Sequence, residues 1–441
     1  MSSADAPPAP ASQARFALAV LVVAAVAALA AVGFRDGLHE VYALVLGDRS
    51  VLHGMAMLPW WACIALPASG AALAALIAQI ARGGNSGVGG VMEAVALGRG
   101  RISFRASAAR VVACFTAVAT GSAIGREGPI IQLGAGIGDA LGQRIALLAA
   151  QRRILIAAGT AAGFAAAYGT PLAALLFVAE VVTISTAIRL ILATAVAAAL
   201  ASIIAGFGPL YGARTFAMGS PIELVVYAGI GVGVGVIGVL FMRLLSLAEH
   251  GFARIPGPPS VRAAIGGAIA GAIAIGVPEV AGNGLEALRG LLDVGAAAGV
   301  LALFLVARAV ATSASVGSGV PGGVFTPALF LGAAAGRLVA LGLVAVGIHV
   351  DGGACTVAGM AAACASTTHA PLMAAVMMLE LTSDASLALP VLLASTIATL
   401  TARAIHRESL YTEELRRRRV VWPARLVGPP VAEVVEDGGG I

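Results

Sequence analysis

The feature that most constrains this chain is that it matches itself. Its two halves fall into register at a nearly constant offset, 198 residues at Gly121 and Gly319 and 200 at Glu180 and Glu380. "ARVVA" from Ala109 faces "ARAVA" from Ala307, so Arg110 meets Arg308. Further on, Gly121, Gly125, Pro129, Leu133, Gly134 and Gly138 meet Gly319, Gly323, Pro327, Leu331, Gly332 and Gly336. "AAGTAAGFAAAYGTPLAALLFVAE", ending at Glu180, lies against "VAGMAAACASTTHAPLMAAVMMLE", ending at Glu380, with Pro171 on Pro371; Gly84-Asn85 meets Gly282-Asn283. Alanine-rich chains match themselves by chance, but Gly, Pro, Arg and Glu recurring in order do not. The unit is duplicated, and whether the copies are inverted depends on an odd number of crossings per half, which hydropathy leaves open.

The copies are membrane domains. With 59% hydrophobic residues, 11% charged residues and a mean hydropathy of +0.98, the chain carries more apolar surface than one aqueous core can hide. Apolar runs long enough to cross a bilayer lie near Arg15–Phe34, Val51–Ile80, Pro171–Phe207, Ile222–Leu247, Val261–Val277, Val300–Ser315 and Ser386–Ala402. Other apolar stretches are short or interrupted by Gly and Pro, which predicts helices that break partway through the membrane. The first run lacks a convincing cleavage site and reads as a retained helix. The arginines at Arg416–Arg419 predict a cytoplasmic C-terminus. The expected organisation is a cytoplasmic segment over 1–14, membrane halves over 15–207 and 208–412, and a short cytoplasmic tail over 413–441.

Duplicated halves with Gly/Pro-broken segments at matching positions point to a transport site at their interface. "GREGP" and "GGVFTP" each put a flexible entry before a proline, Pro129 or Pro327, in the first turn of a helix. A helix starting inside the membrane aims unpaired N–H groups, and about half a positive charge, at whatever lies ahead of it. That is an anion site without a lysine. "GNSGVGG" is looser but offers the Ser86 hydroxyl among glycines. Glu127, at such a start, would compete with the anion when ionised and release it when protonated; alternatively it caps a helix or pairs with Arg126. Glu180 and Glu380 are intramembrane acids at equivalent positions, either proton relays or partners in a shared structural job at helix ends. Asp139 in "GIGDAL" has the look of an intramembrane aspartyl protease motif, but no opposed second Asp stands out. His369, beside Pro371, reads as a polar helix-start residue, and Cys63, Cys114, Cys355 and Cys364 as small buried residues. The net charge of +5 is carried without any nucleic-acid motif.

"GREGP", "GGVFTP", "NSGVG", "PLAALLFVAE", "PLMAAVMMLELT" and a late "SLYTEEL" together resemble the CLC family of chloride channels and transporters, in order from Asn85 to Tyr411. The resemblance implies an all-α polytopic fold, an inverted repeat of many tilted and broken helices, and a homodimer with one pathway per subunit in a bacterial inner membrane. It implies that Ser86 and Tyr411 offer hydroxyls to a dehydrated anion, that the amides of Val324 and Phe325 complete this central site, and that amides around Gly125, Arg126 and Glu127 serve an outer one. Glu127 would be the gating glutamate that also accepts a proton. No cofactor or metal is called for.

Three positions depart from the family pattern. Asn85 and Gly89 replace the flanking Gly and Pro of the serine motif. Gly169 replaces the more usual Asn. Phe177-Val178-Ala179-Glu180-Val181 stands where proton-coupled members commonly carry "FxxEE", so the inner proton-transfer glutamate is Val181 here, with Glu180 as a candidate substitute. With Glu127 intact the expected function is chloride/proton exchange, and a passive chloride channel is the alternative because of Val181. An organic-solute transporter would need a more polar lining, and a protease reading rests on Asp139 alone.

Overall fold

The structure, a computed structural model, describes residues 10–80, 87–98, 100–183, 188–206, 208–216, 220–293, 295–420 and 422. Ser86 and the Gly84-Asn85 pair lie outside the described residues. The first half runs through α1 (Pro10–Leu46), α2 (Val51–Met57), α3 (Trp60–Ile80), α4 (Gly87–Met92), α5 (Phe104–Ala119), α6 (Glu127–Arg144), α7 (Ala149–Tyr168), α8 (Pro171–Phe177) and α9 (Ile188–Ala205). The second runs through α10 (Glu223–Ala253), α11 (Pro259–Gly276), α12 (Leu285–Asp293), α13 (Ala298–Gly317), α14 (Phe325–Ala345), α15 (Gly352–Thr368), α16 (Pro371–Thr382) and α17 (Ala388–Ile405), and α18 (Leu410–Arg417) follows. α4 and α8 continue into π-helical segments, Glu93–Leu97 and Val178–Val182. Among the described residues eight helical stretches are long and apolar enough to cross a membrane, which makes this a multi-pass integral membrane protein.

Packing repeats with the sequence. α6 lies on α7 as α14 lies on α15, α7 on α9 as α15 on α17, and α5 on α6 as α13 on α14, while α3 packs on its own counterpart α11 and α8 on α16. At Gly125 and Gly323 the two copies run antiparallel. Counterparts that touch each other reciprocally and in opposite directions are related by a two-fold axis, so the repeat is inverted.

The repeated glycines sit where helices cross. A Cβ on Gly134 would strike the Gly159 carbonyl across the α6–α7 contact, and one on Gly332 would strike Gly359 across α14–α15. One turn further along, Gly138 and Gly336 meet the carbonyls of Leu155 and Cys355 in the same way. Without a hydrophobic drive between helices in lipid, such close backbone approach supplies the packing energy. Two buried charges, Arg308 and Asp139, are likewise used structurally. Arg308, fully buried, donates to the carbonyls of Val280 (2.7 Å) and Gly282 (3.2 Å) and lies over the Phe330 ring. Asp139, also fully buried, accepts the Ile102 N–H at 2.8 Å and pairs with Arg152, tying α6 and α7 to the approach to α5. The four cysteines are buried and free.

Several expected spans are corrected. Val51–Ile80 is two helices, because Pro59 and its extended neighbour Leu58 end α2 before α3 begins. Pro171–Phe207 is also divided, since α8 passes into the π-helical segment and Thr183 leaves helical geometry. The first helix continues beyond Phe34 to Leu46, carrying Arg35 and Asp36 as an ion pair. Phe325–Ala345 is a long apolar helix that the Gly/Pro-rich entry had disguised. Gly169 caps α7 with φ of 71°, and His369 holds the same left-handed cap on α15 at 58°, ending that helix and not starting the next. Gly and Asn both tolerate that conformation, which accounts for Gly169 where Asn is usual.

Gly134→Leu or Gly332→Leu should cost about 3 kcal/mol or more through backbone overpacking. Gly342→Ala, with open space around its Cβ, should stabilise α14 by about 0.5–1 kcal/mol. Thermal unfolding of the detergent-solubilised protein checks both.

Candidate functional site

Two helices begin beside each other near the middle of the molecule. Gly125 and Gly323 exchange backbone hydrogen bonds, each N–H to the other's carbonyl at 2.7 Å. α6 starts two residues after the first glycine and α14 two residues after the second. Pro129 and Pro327 occupy the first turn of each, where a missing N–H leaves no bond unmade. The leading amides of α6 and α14 have no acceptor within their own helices. Both starts line one cavity of about 390 Å³, together with Gly87, Arg110, Gln132 and Tyr411.

Glu127 lies across this junction. It is 3% exposed; its Oε1 accepts the Thr326 hydroxyl, and its Oε2 is buried without a partner. A Cβ on Gly323 would stand 2.6 Å from that Oε2, so only glycine leaves room for the carboxylate. The acid that begins α6 therefore sits at the start of α14. Thr326 is itself within hydrogen-bond distance of the Tyr168 hydroxyl, at 3.1 Å. Arg126 does not pair with Glu127; its guanidinium donates to the Ala167 carbonyl at 3.2 Å, and the residue is buried.

The remaining expected ligands gather around the same cavity. Val324 and Phe325 are buried at the α14 start, and the Phe325 ring packs against Phe164 and Tyr168 at centroid distances of 5.7 and 5.5 Å. Tyr411 stands in the first turn of α18, whose start is fixed by a capping box: the Ser409 hydroxyl accepts the Thr412 N–H (3.2 Å) and the Thr412 hydroxyl accepts the Ser409 N–H (2.8 Å). Its ring meets Phe177 edge-on at 6.1 Å. Ser86, the other expected hydroxyl, lies outside the described residues, although the adjoining Gly87 lines the cavity.

Val181 and Glu180 belong elsewhere. Both line a second cavity of about 550 Å³ with His369, Arg403 and Arg407. Glu180 is already engaged, accepting the N–H groups of Leu372 (3.3 Å) and Met373 (2.7 Å) at the start of α16. Glu380 does the same for α8, accepting from Leu172 (2.9 Å) and Ala173 (2.8 Å). Each half caps the other's helix. Four site residues escaped the sequence reading: Thr326, Tyr168, Gln132 and Arg110. Gln132 offered a signal as the one amide in the apolar, glycine-rich first half of α6, and Arg110 as a charge in mid-α5 followed by an uncharged run to the helix end; Thr326 and Tyr168 offered none.

Comparison with known proteins gives consistent matches. The family described as "Voltage gated chloride channel" matches residues 69–403. A ClcB-like protein of Ralstonia nicotianae is 38% identical over 404 residues, covering 88% of this chain and 94% of its own length. The voltage-gated ClC-type chloride channel ClcB of Escherichia coli O9:H4 is 34% identical over 325 residues, covering 71% and 77%. Among solved structures, a slow cyanobacterial Cl⁻/H⁺ antiporter superposes with a TM-score of 0.82 at 24% identity, covering 92% of this chain and 98% of that one. A CLC-type fluoride/proton antiporter gives 0.71 at 21% identity, covering 92% and 98%.

The reciprocal caps separate structure from proton transfer. Glu180→Ala and Glu380→Ala should destabilise the protein to a similar extent, by about 1–2 kcal/mol each, as read from melting curves. An effect of Glu180→Gln on proton coupling with none from Glu380→Gln would instead make Glu180 a relay.

Proposed function

The chain belongs to the voltage-gated chloride channel family, and from that membership we propose that it moves chloride across a bacterial inner membrane in exchange for protons, as a homodimer with one pathway in each subunit. The observation that carries the reading is the position of Glu127, whose carboxylate lies on the start of α14 with Oε2 unpaired inside the cavity. Ionised, it is a tethered anion at the helix start whose field a chloride ion would use. Protonated, it loses the charge that holds it there and leaves that start free. Anion entry and proton uptake then draw on one group.

Chloride is held in this scheme by the amides of Val324 and Phe325 with the hydroxyls of Ser86 and Tyr411, and by amides around Gly125, Arg126 and Glu127 on the outer side. The buried phenol of Tyr168 keeps the Thr326 hydroxyl directed to the carboxylate. A passive channel is the second reading, favoured by Val181, since a valine cannot relay a proton. In that case Glu127 is a gate alone.

Proteoliposomes under a chloride gradient with no initial pH difference are expected to drive protons uphill while chloride leaves. Chloride flux without proton movement would establish the channel. In an exchanger, Glu127→Gln should abolish proton movement and keep chloride flux, because the amide imitates the protonated acid. Tyr411→Ala combined with Ser86→Ala should weaken chloride binding by about tenfold, measured by calorimetry.

A further inference from the structure

Besides Glu127, the carboxylates lining its cavity are those of Glu249, Glu413 and Glu414. Glu249 and Glu413 share Arg417 in an ion-pair cluster. Glu414 is placed differently, against α4. Its Oε2 accepts the Gly89 N–H at 3.4 Å, and a Cβ on Gly87 would stand 2.8 Å from its Oε1. The space that the glycines leave is filled by this carboxylate. Arg418, four residues along α18, pairs with it from the other side.

Gln132 reaches the same place from α6. It is 1% exposed, its Oε1 accepts the Gly87 N–H at 2.9 Å, and its Nε2 is buried with no partner. A buried amide NH₂ without an acceptor costs free energy unless a ligand or water takes its hydrogens. On the cavity wall, beside an acid, it is a donor for an anion.

We propose that Glu414 is a second titratable gate of the pathway, which when ionised occupies the α4 donors beside Gln132 and when protonated yields them to the anion. The inference rests on reading the cavity as a chloride pathway. The proton comes from, and returns to, the water at the cavity mouth, and no bond other than O–H is made or broken. The charged groups around Glu414 are Arg418 and Arg110, and within the same cavity lining Arg417, Glu413, Glu249 and Glu127. α4 and α15, which pack against α18, present no charged side chain to it. Glu127 thus has a counterpart from outside the repeat, on the helix that also carries Tyr411.

The test uses the full chain with Glu127→Gln, so that the first gate no longer titrates. Chloride flux is measured in proteoliposomes at equal pH on both faces, from about pH 8 to about pH 5. Flux through E127Q should rise as the pH falls. The E127Q/E414Q protein should show a flat, high profile and bind chloride about tenfold more tightly at the alkaline end, because its binding-competent state is always populated. E127Q/R418Q should keep the pH dependence; if it flattens equally, Glu414 acts only through its ion pair and the proposal fails. Superimposable profiles for E127Q and E127Q/E414Q would also overturn it. Gln132→Leu, made in E127Q with Glu414 intact, should lower chloride affinity about tenfold at acid pH, and unchanged affinity would count against the site even if the Glu414 variant does not fold. Well-folded wild type and E127Q that move no chloride would overturn the proposed function itself, and this inference with it.

Discussion

Everything at the centre of this molecule depends on two backbone hydrogen bonds between a pair of glycines. Gly125 and Gly323 bind each other N–H to carbonyl at 2.7 Å in both directions. Each directly precedes the cap of a helix, so the bonds fix where α6 and α14 begin relative to each other. Only residues without a Cβ allow the approach: on Gly125 or Gly323 the added atom would run into the Glu127 carboxylate. Helix starts brought together in this way sum their partial positive charges over one small region of low dielectric. The field is built from backbone and does not depend on the protonation of any base.

In the proposed scheme that origin explains how one carboxylate could control the region. A lysine or arginine facing the cavity centre would neutralise Glu127 permanently, whereas here its carboxylate is met by the Thr326 hydroxyl at Oε1 and has no partner at Oε2, so only the partial charge of the helix starts opposes its protonation. Arg126, adjacent in sequence, is kept out of the way by the Ala167 carbonyl. Arg308 is withdrawn too, fully buried against Val280 and Gly282, although its counterpart Arg110 lines the cavity. The two copies of the repeat have kept the arginine and divided its use.

Much of this was legible in the residues. The offset of Gly, Pro and Glu between the halves carried the duplication, and the entries to Pro129 and Pro327 carried the two helix starts, because both rest on local backbone chemistry. Gly134 and Gly332 could be matched to one another, but their task, close passage of a second helix, depends on partners 25 and 27 residues away at Gly159 and Gly359. Glu180 and Glu380 could be paired as equivalents, yet nothing local says that each acid would serve the opposite copy. The contacts of Thr326 with Glu127 and Tyr168 were invisible for the same reason, being 199 and 158 residues apart in the chain. Hydropathy failed where proline or a π-helical turn interrupts an apolar run, at Pro59 and at Val178–Val182. A window average does not register a change of helical geometry.

The exchanged caps of Glu180 and Glu380 carry a historical consequence. In a contact of this kind residue i of one copy meets residue j of the other and j meets i, which is the geometry of an isologous dimer. Were the two halves separate chains of identical sequence, a single glutamate codon would furnish both caps, and a single glycine codon both sides of the Gly125–Gly323 pair. Gene fusion would then alter no interaction at the axis. It would free each position to mutate on one side only, and the difference between Gly169 and His369 is the trace such freedom leaves.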